Sequence, residues 1–144
     1  MKHRKLGAEG EEQYVLICET GDEPVKVLER FAREHELTSA SLTAIGAFER
    51  VSLGYYDLEK QEYATTDFNE QLEVVSFIGD ISLNDGEPMV HVHVALGRRD
   101  CSLLGGHLMS GVVRPTLEIM LSKTPASLVR KYDRASGLSL ISIE

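Results

Sequence analysis

The sequence lacks the features of a secreted, membrane-bound or disulfide-stabilised protein. Its 144 residues contain two cysteines, too few for a disulfide framework, and they form no Cys-x-x-Cys motif. We expect Cys18 in the core and Cys101 as a structural residue or a free thiol. The N-terminus has no signal-peptide stretch, and no apolar window approaches the length of a membrane span. These absences predict a cytoplasmic protein with no membrane partner.

Basic residues are also scarce. There are 15 Lys and Arg against 23 Asp and Glu, giving a net charge of −8, whereas nucleic-acid binding needs a basic footprint. The basic run near the start, Lys2–Lys5, is short, and an Arg-Gly-Arg-Pro sequence is absent. Nucleic acid is therefore not expected as a partner of this chain alone. The alternative is a local basic patch formed by Arg114, Arg130, Lys131 and Arg134.

No phosphate loop, paired-carboxylate motif or nucleophile–base pair is recognisable. The sequence also shows no repeat, linker or low-complexity segment. With 42% hydrophobic and 26% charged residues, it is typical of one globular domain. We expect a single domain over residues 1–144, with residues 1–9 as a flexible tail.

Three of the five histidines lie close together in the sequence. His91 and His93 alternate with valines, which predicts a strand from which both imidazoles leave on one face. His107 follows Gly105-Gly106. Gly97 and the polar residues after it predict a hairpin between the two segments.

The length of that hairpin loop decides where His107 lies. A three-residue loop over residues 98–100 would place His107 opposite His91, and Gly105 opposite His93. All three imidazoles would then share one face. A loop of two or four residues would turn His107 to the other face, unless a bulge at the glycines turns it back.

Three histidines on one face suit a metal ion. Neutral imidazole suits zinc, copper, nickel or iron, and zinc is the leading prediction because it has no redox demands. A tetrahedral zinc ion held by three histidines would leave its fourth position open to water or ligand. The alternative is that these histidines are polar residues facing solvent. A cupin site also uses His-x-His, but it needs a glutamate where this chain has Leu96 and Gly97.

The same residues give a resemblance to the plant- and prokaryote-conserved (PPC) domain family. The likeness rests on His91-Val92-His93 followed by Gly105-Gly106-His107-Leu108. It extends over most of the chain, including the segments 21–24, 39–47 and 116–119. The resemblance implies a compact α/β domain, usually a homotrimer, with a metal at the histidine cluster in some stand-alone members. It also implies a DNA-binding label, which belongs mainly to plant proteins that carry AT-hooks.

Hydrophobic periodicity predicts a fold of α+β type within the broad α/β class. It is a mainly antiparallel sheet packed with one main helix and a short C-terminal helix. The helix should begin at the N-cap Asp22 and bury Val25, Leu28, Phe31, Ala32 and His35. The second helix should span residues 126–134 and end at Gly137. The predicted strands cover residues 13–19, 42–48, 51–57, 72–83, the histidine hairpin, 116–121 and 138–143.

Glu118 is the acidic residue most worth examining. It lies on the less apolar face of its strand, where it could act as a fourth ligand, an orienting partner of an imidazole or a general base. Its alternative role is that of a solvent-facing strand residue. Arg114 could hold an anionic ligand near the same histidines.

Two classes of function follow from these features. The first, which we favour, is a metal-binding module of ligand-binding or regulatory role, which the family resemblance implies to be a trimer. The second is a metal-dependent hydrolase or hydratase acting on a small molecule.

Overall fold

The computed structural model describes residues 1–6 and 12–143, which contain one helix and nine strands. The helix α1 spans Pro24–Glu34. The strands are β1 (Lys2–Lys5), β2 (Gln13–Glu19), β3 (Ser39–Asp57), β4 (Glu62–Phe68), β5 (Leu72–Asn84), β6 (Glu87–Gly97), β7 (Leu103–Lys123), β8 (Val129–Asp133) and β9 (Leu138–Ser142). Within the described residues, no helix is long and apolar enough to cross a membrane.

The nine strands form one sheet. All its strand pairs are antiparallel except β5 with β8. Four of the strands, β3, β5, β6 and β7, pair in a closed cycle. The predicted antiparallel sheet with one main helix is confirmed.

Side-chain alternation along the strands separates a buried face from an outward face. On β7, Leu117, Ile119 and Leu121 are buried as predicted, while Glu118 and Met120 are exposed. The buried face packs with α1 into one apolar core that includes Cys18. Burial raises the pKa of the Cys18 thiol to about 12, so this cysteine is an unreactive core residue.

The helix begins one residue later than predicted. Its N-cap is Glu23, and Pro24 occupies the first turn, where its fixed φ suits the helix and its missing N–H costs nothing. Asp22 instead accepts a hydrogen bond from the Glu19 backbone N–H at 2.9 Å and pairs with the Met1 amino group at 2.9 Å. Competition from these partners explains why Asp22 does not cap the helix.

The helix buries Val27, Leu28, Phe31 and Ala32, whereas Val25 is half-buried at the edge of the core. His35 follows the last turn and stacks on Phe31, with ring centroids 4.1 Å apart. The half-buried structural role expected for His35 agrees with this packing.

The predicted C-terminal helix is wrong. Residues 129–133 form β8, which pairs antiparallel with β9, and Gly137 lies in the turn between them at φ +74°. Val129 and Tyr132 favour extended structure, and β8 also pairs with the end of β5. Tertiary pairing therefore overrides the weak local signal for a helix.

The N-terminal tail also needs correction. Lys2–Lys5 form β1, paired antiparallel with β2, although all four side chains are exposed. Residues 7–9 of the expected tail lie outside the described residues.

Strand β3 joins the two strands predicted at 42–48 and 51–57. Register shifts occur around Gly46, Phe48 and Ser52, where the strand bends without ending. At Gly46 a Cβ would lie 2.2 Å from the Thr116 carbonyl oxygen, so only glycine allows this approach of β3 to β7. Strand β4, which the sequence analysis did not predict, pairs with the second half of β3.

Candidate metal centre

The β5–β6 hairpin places the first two histidines. Its turn residues Asp85 and Gly86 both have positive φ, 51° and 84°, as a two-residue type I′ hairpin requires. This turn fixes the register so that His91 lies opposite Asp80 and His93 opposite Ile78. Both imidazoles therefore leave β6 on the outward face.

The β6–β7 hairpin brings the third histidine to them. Its loop spans residues 98–102, because Gly97 pairs with Leu103, and His93 lies directly opposite His107. The predicted three-residue loop and the predicted pairing of His91 with His107 are wrong. The longer loop is stabilised by the Arg98 N–H donating to the Ser102 carbonyl oxygen at 2.9 Å.

Side-chain hydrogen bonds and backbone conformation favour the longer loop. The Asp100 carboxylate accepts from the Ser102 N–H at 2.9 Å, and Cys101 adopts φ +65°. Both loop lengths are odd, so His107 still projects on the same face as His91 and His93. The predicted convergence of three imidazoles survives the change of register.

The two glycines before His107 allow close backbone approach. A Cβ on Gly105 would lie 2.5 Å from the Val94 carbonyl oxygen, and one on Gly106 would lie 2.9 Å from that of Gly54. Gly105 faces Ala95, not His93 as predicted. The glycines therefore allow β7 to pack closely between β6 and β3. They do not leave an open space above His93.

The three imidazoles form a tight cluster. One nitrogen from each of His91, His93 and His107 lies within 4.8 Å of the others. Ring centroids are 5.1 Å apart for His91 and His93, 5.1 Å for His91 and His107, and 5.4 Å for His93 and His107. These nitrogens could hold one metal ion, as the sequence analysis predicted.

The environment of the cluster favours neutral imidazole. Burial, together with His91 and His93, lowers the pKa of His107 to about 4. The pKa of His91 is also lowered, by burial and by the nearby Arg130 guanidinium, against the opposing effect of Asp80. A neutral imidazole is the form that binds a metal, so both rings are ready ligands at neutral pH.

One imidazole nitrogen of the cluster bears on whether these residues fit a bound metal ion. His107 Nδ1 is buried and has no hydrogen-bond partner among the described residues. A buried polar atom without a partner is costly and calls for an explanation. Metal coordination by this cluster would provide one, so the residues fit a bound ion.

A cavity of about 280 Å³ opens beside the cluster. Two tyrosines from β3 and β4, Met89 of β6 and the β8–β9 hairpin form its walls. Its lining comprises Tyr56, Tyr63, Met89, His91, His93, His107, Arg130, Leu138, Ser139 and Leu140. This volume can accept a small ligand next to the imidazoles.

Hydrogen bonds hold the β8–β9 hairpin against this cavity. The Tyr56 hydroxyl donates to the Ser136 carbonyl oxygen at 2.7 Å, and Gln61 Nε2 donates to that of Ala135 at 3.1 Å. Arg130 of β8 is 7% exposed, and its Nη2 lies 3.3 Å from His91 Nδ1. Its Nη2 donates to Asp80 Oδ1 at 2.9 Å and to Oδ2 at 3.0 Å.

Neither Asp80 nor Arg130 was predicted from the sequence as a residue of this site. A signal for Asp80 was present, because the Asp-Gly turn alone fixes the residue opposite His91. Arg130 could not be found while its segment was predicted as a helix. Since Arg130 is buried against Asp80, it contributes no exposed charge to the alternative basic patch.

The structure does not bring Glu118 to the histidines. Glu118 is exposed, pairs in register with Ile45 and Ile17, and lines a separate shallow depression with Glu73 and Val75. Neither Glu118 nor Arg114 lines the histidine cavity. Within one chain, Glu118 is the solvent-facing strand residue of the alternative interpretation.

The chain is thus a mainly antiparallel β-sheet protein with one helix and a three-histidine cluster on the outward face of the sheet. Comparison with known families gives its family. The family model of the Plants and Prokaryotes Conserved domain, abbreviated PCC or PPC, matches residues 6–125. The chain belongs to this family. No curated protein has a matching sequence.

Solved structures agree with the family assignment. A PPC protein from Pyrococcus horikoshii is 32% identical, with a TM-score of 0.86 and 91% of each chain covered. A metal-containing protein from Archaeoglobus fulgidus is 34% identical, with a TM-score of 0.85 and coverage of 91% of this chain and 93% of that one. A protein from Bacteroides thetaiotaomicron, named as a proposed DNA-binding protein, is 28% identical, with a TM-score of 0.91 and coverage of 98% and 96%.

Proposed function

We propose that this PPC-family chain is a metal-binding protein that holds zinc through His91, His93 and His107 and serves a ligand-binding or regulatory role. The observation that carries the proposal is the convergence of three imidazole nitrogens within 4.8 Å. The orphaned Nδ1 of His107 and its lowered pKa add to it.

Zinc is favoured by the chemistry of the donors. Three neutral imidazoles suit zinc, which has no redox demand and accepts a tetrahedral arrangement with one open position. The Archaeoglobus fulgidus relative is named as a metal-containing protein. Its identity of 34% over most of both chains makes a metal in this chain a reasonable extension.

The cavity beside the cluster favours a small-molecule ligand. Bound zinc would offer its fourth position to a donor atom of that ligand, while Tyr56, Met89 and Leu140 would contact its apolar part. In the alternative, a hydrolase or hydratase, zinc would lower the pKa of a bound water. None of the described residues that line the cavity is a carboxylate able to act as a base, and we therefore favour the binding role.

We also propose that the chain assembles as a homotrimer, as the family resemblance implies. The outward face carries exposed apolar side chains on three adjacent strands, here called the outer-face patch: Ile45, Val75, Ile78 and Met120. Ile78 and Met120 both pair in register with Thr43. An exposed apolar surface of this kind favours contact with another protein surface.

The outer-face patch adjoins the histidines, because Ile78 lies opposite His93. A subunit packed on this patch would therefore come close to the metal site.

Nucleic acid is not part of the proposal, although the Bacteroides relative is named for DNA binding. A net charge of −8 opposes phosphate. Arg130 is paired with Asp80 and buried. Duplex DNA titrated at low and at physiological salt should show no binding, and an affinity that falls steeply with salt would restore the DNA-binding alternative.

Metal analysis tests the central proposal. The chain, purified without a histidine tag and incubated with zinc, should retain about one equivalent after gel filtration, as a single site with three histidine ligands requires. Less than about a tenth of an equivalent would overturn the proposal. Higher occupancy by nickel, copper or iron under competition would keep the site but change its metal.

A further inference from the structure

Beyond the three ligands, an ion pair between the buried Arg130 and the half-buried Asp80 lies beside His91. We propose that Asp80 is a positioning residue for His91 during metal binding, and that Arg130 of the C-terminal hairpin holds Asp80 in place for this role. The inference rests on the proposed function, because it concerns the same metal site. It adds residues that the three-histidine motif does not contain, and Arg130 lies beyond residue 125, where the family match ends.

Four oxygen acceptors hold the Arg130 side chain in place. It is 5% exposed, and its Nη2 donates to both oxygens of Asp80 at 2.9 and 3.0 Å. Its Nε donates to Ser82 Oγ at 2.7 Å, and its Nη1 donates to the Ser139 carbonyl oxygen at 3.0 Å. A guanidinium held this firmly fixes the carboxylate that it binds.

His91 contacts this ion pair through one nitrogen. Its Nδ1 lies 3.3 Å from Arg130 Nη2 and 3.7 Å from Asp80 Oδ2. A position beside a guanidinium is unsuitable for a metal cation, so Nε2 is the nitrogen left to serve as the ligand. Arginine has donors only, so a hydrogen bond at this contact has Nδ1 as its acceptor and the proton of neutral His91 on Nε2.

Metal binding therefore requires the proton of His91 to change nitrogens. When Nε2 gives its lone pair to an ion, the neutral ring carries its hydrogen on Nδ1, where Arg130 can no longer donate to it. Asp80 Oδ2 is the nearby group able to accept that hydrogen. A carboxylate in this position fixes the ring and raises its basicity as a ligand, while Arg130 balances the charge of Asp80.

The two partners should therefore respond differently to substitution. In Asp80→Asn the carboxylate is lost, and the Arg130 guanidinium remains beside His91 without a negative partner. Its positive charge then opposes the binding of a metal cation through Coulomb repulsion. Adding Arg130→Met removes that guanidinium. The double variant should recover part of the zinc affinity that Asp80→Asn loses, a result that general destabilisation would not produce.

Zinc affinity, measured by competition with a chromophoric chelator, tests the inference. Asp80→Asn should bind zinc about 10- to 100-fold more weakly than the wild type, the usual cost of removing such a partner, and the double variant should lie between them. The matched control is Glu70→Gln, which removes the carboxylate of an exposed ion pair with Arg98 at 3.0 Å. This control should keep the wild-type affinity.

Nitrogen-15 NMR of the wild-type imidazoles gives a second measurement, which does not depend on whether any variant folds. His91 should carry its hydrogen on Nε2 without metal and on Nδ1 with zinc. Wild-type affinity in Asp80→Asn, or an unchanged His91 tautomer on zinc binding, would overturn the inference and leave the proposed function intact. Failure of the wild-type protein to bind zinc would overturn both.

Discussion

His93 and His107 lie directly opposite each other across the β6–β7 hairpin, with ring centroids 5.4 Å apart. His91, two residues before His93, projects from the same face. Because the three nitrogens come from two strands that pair directly, the hairpin itself sets the spacing of the donor set. All three donors lie on strands β6 and β7.

The first prediction concerns His107, which links the two strands of the site. His107→Ala removes one of three donors, so its zinc affinity should fall by more than the roughly 100-fold associated with losing an outer partner. The measurement is chelator competition at pH 7.5. His35→Ala is the matched control, because His35 is also half-buried and stacked on an aromatic ring but lies at the end of α1. Full zinc occupancy in His107→Ala would show that the ligands are wrongly assigned.

The second prediction is a pH dependence of the metal-free fold. The pKa of His107 is lowered from 6.5 to about 4 in the folded chain, so between these values the unfolded chain binds more protons. The contribution of neutral His107 to the free energy of unfolding should therefore be fully present above pH 6.5 and be lost as the pH falls towards 4.

His107→Gln cannot titrate at this position and should lose less stability over that pH range. The midpoint of thermal unfolding, measured with a chelator present between pH 4.5 and 7.5, checks the difference. Parallel curves for the wild type and the variant would show that His107 is not the group responsible.

Much of this fold and site follows from local sequence patterns, and the exceptions share a physical cause. Alternation placed Leu117, Ile119 and Leu121 in the core, and the parity of the hairpin loop was enough to place three histidines on one face. The exact register was not predictable, because it depends on hydrogen bonds of Asp100 and on the positive φ of Cys101. Local periodicity contains no information about either.

The C-terminal hairpin shows the same limit on a larger scale. Residues 126–134 have a weak helical pattern, but β8 is stabilised by pairing with β5 and β9 and by the buried contacts of Arg130. These partners are distant in sequence. Asp80, in contrast, was within reach, since the two-residue turn at Asp85-Gly86 determines which residue faces His91.

The third prediction concerns the proposed trimer. Ile78 is 62% exposed in the outer-face patch, and Ile78→Lys would place a charge in the proposed subunit contact, where burial without a partner is costly. Light scattering after gel filtration should show a trimer for the wild type and a smaller species for this variant. Leu58→Lys is the matched control, because Leu58 is 66% exposed in the turn after β3, outside the patch. A wild-type monomer, or a trimer unaffected by Ile78→Lys, would contradict the proposed surface.

The last prediction separates two glycines of the histidine hairpin. A Cβ on Gly105 would lie 2.5 Å from the backbone oxygen of Val94, which cannot move without breaking the ladder, whereas a Cβ on Gly97 would meet the Val75 side chain at 3.4 Å. Gly105→Ala should therefore destabilise the fold by about 1–3 kcal/mol, the usual cost of overpacking. Gly97→Ala should change stability by less than about 1 kcal/mol, because alanine fits there without strain. Urea unfolding of the metal-free variants measures both values.

A shift of the backbone at Gly105 would also displace His107 from His93, so Gly105→Ala should weaken zinc binding as well. Equal stability and equal zinc affinity in the two variants would show that close packing at Gly105 does not position the site.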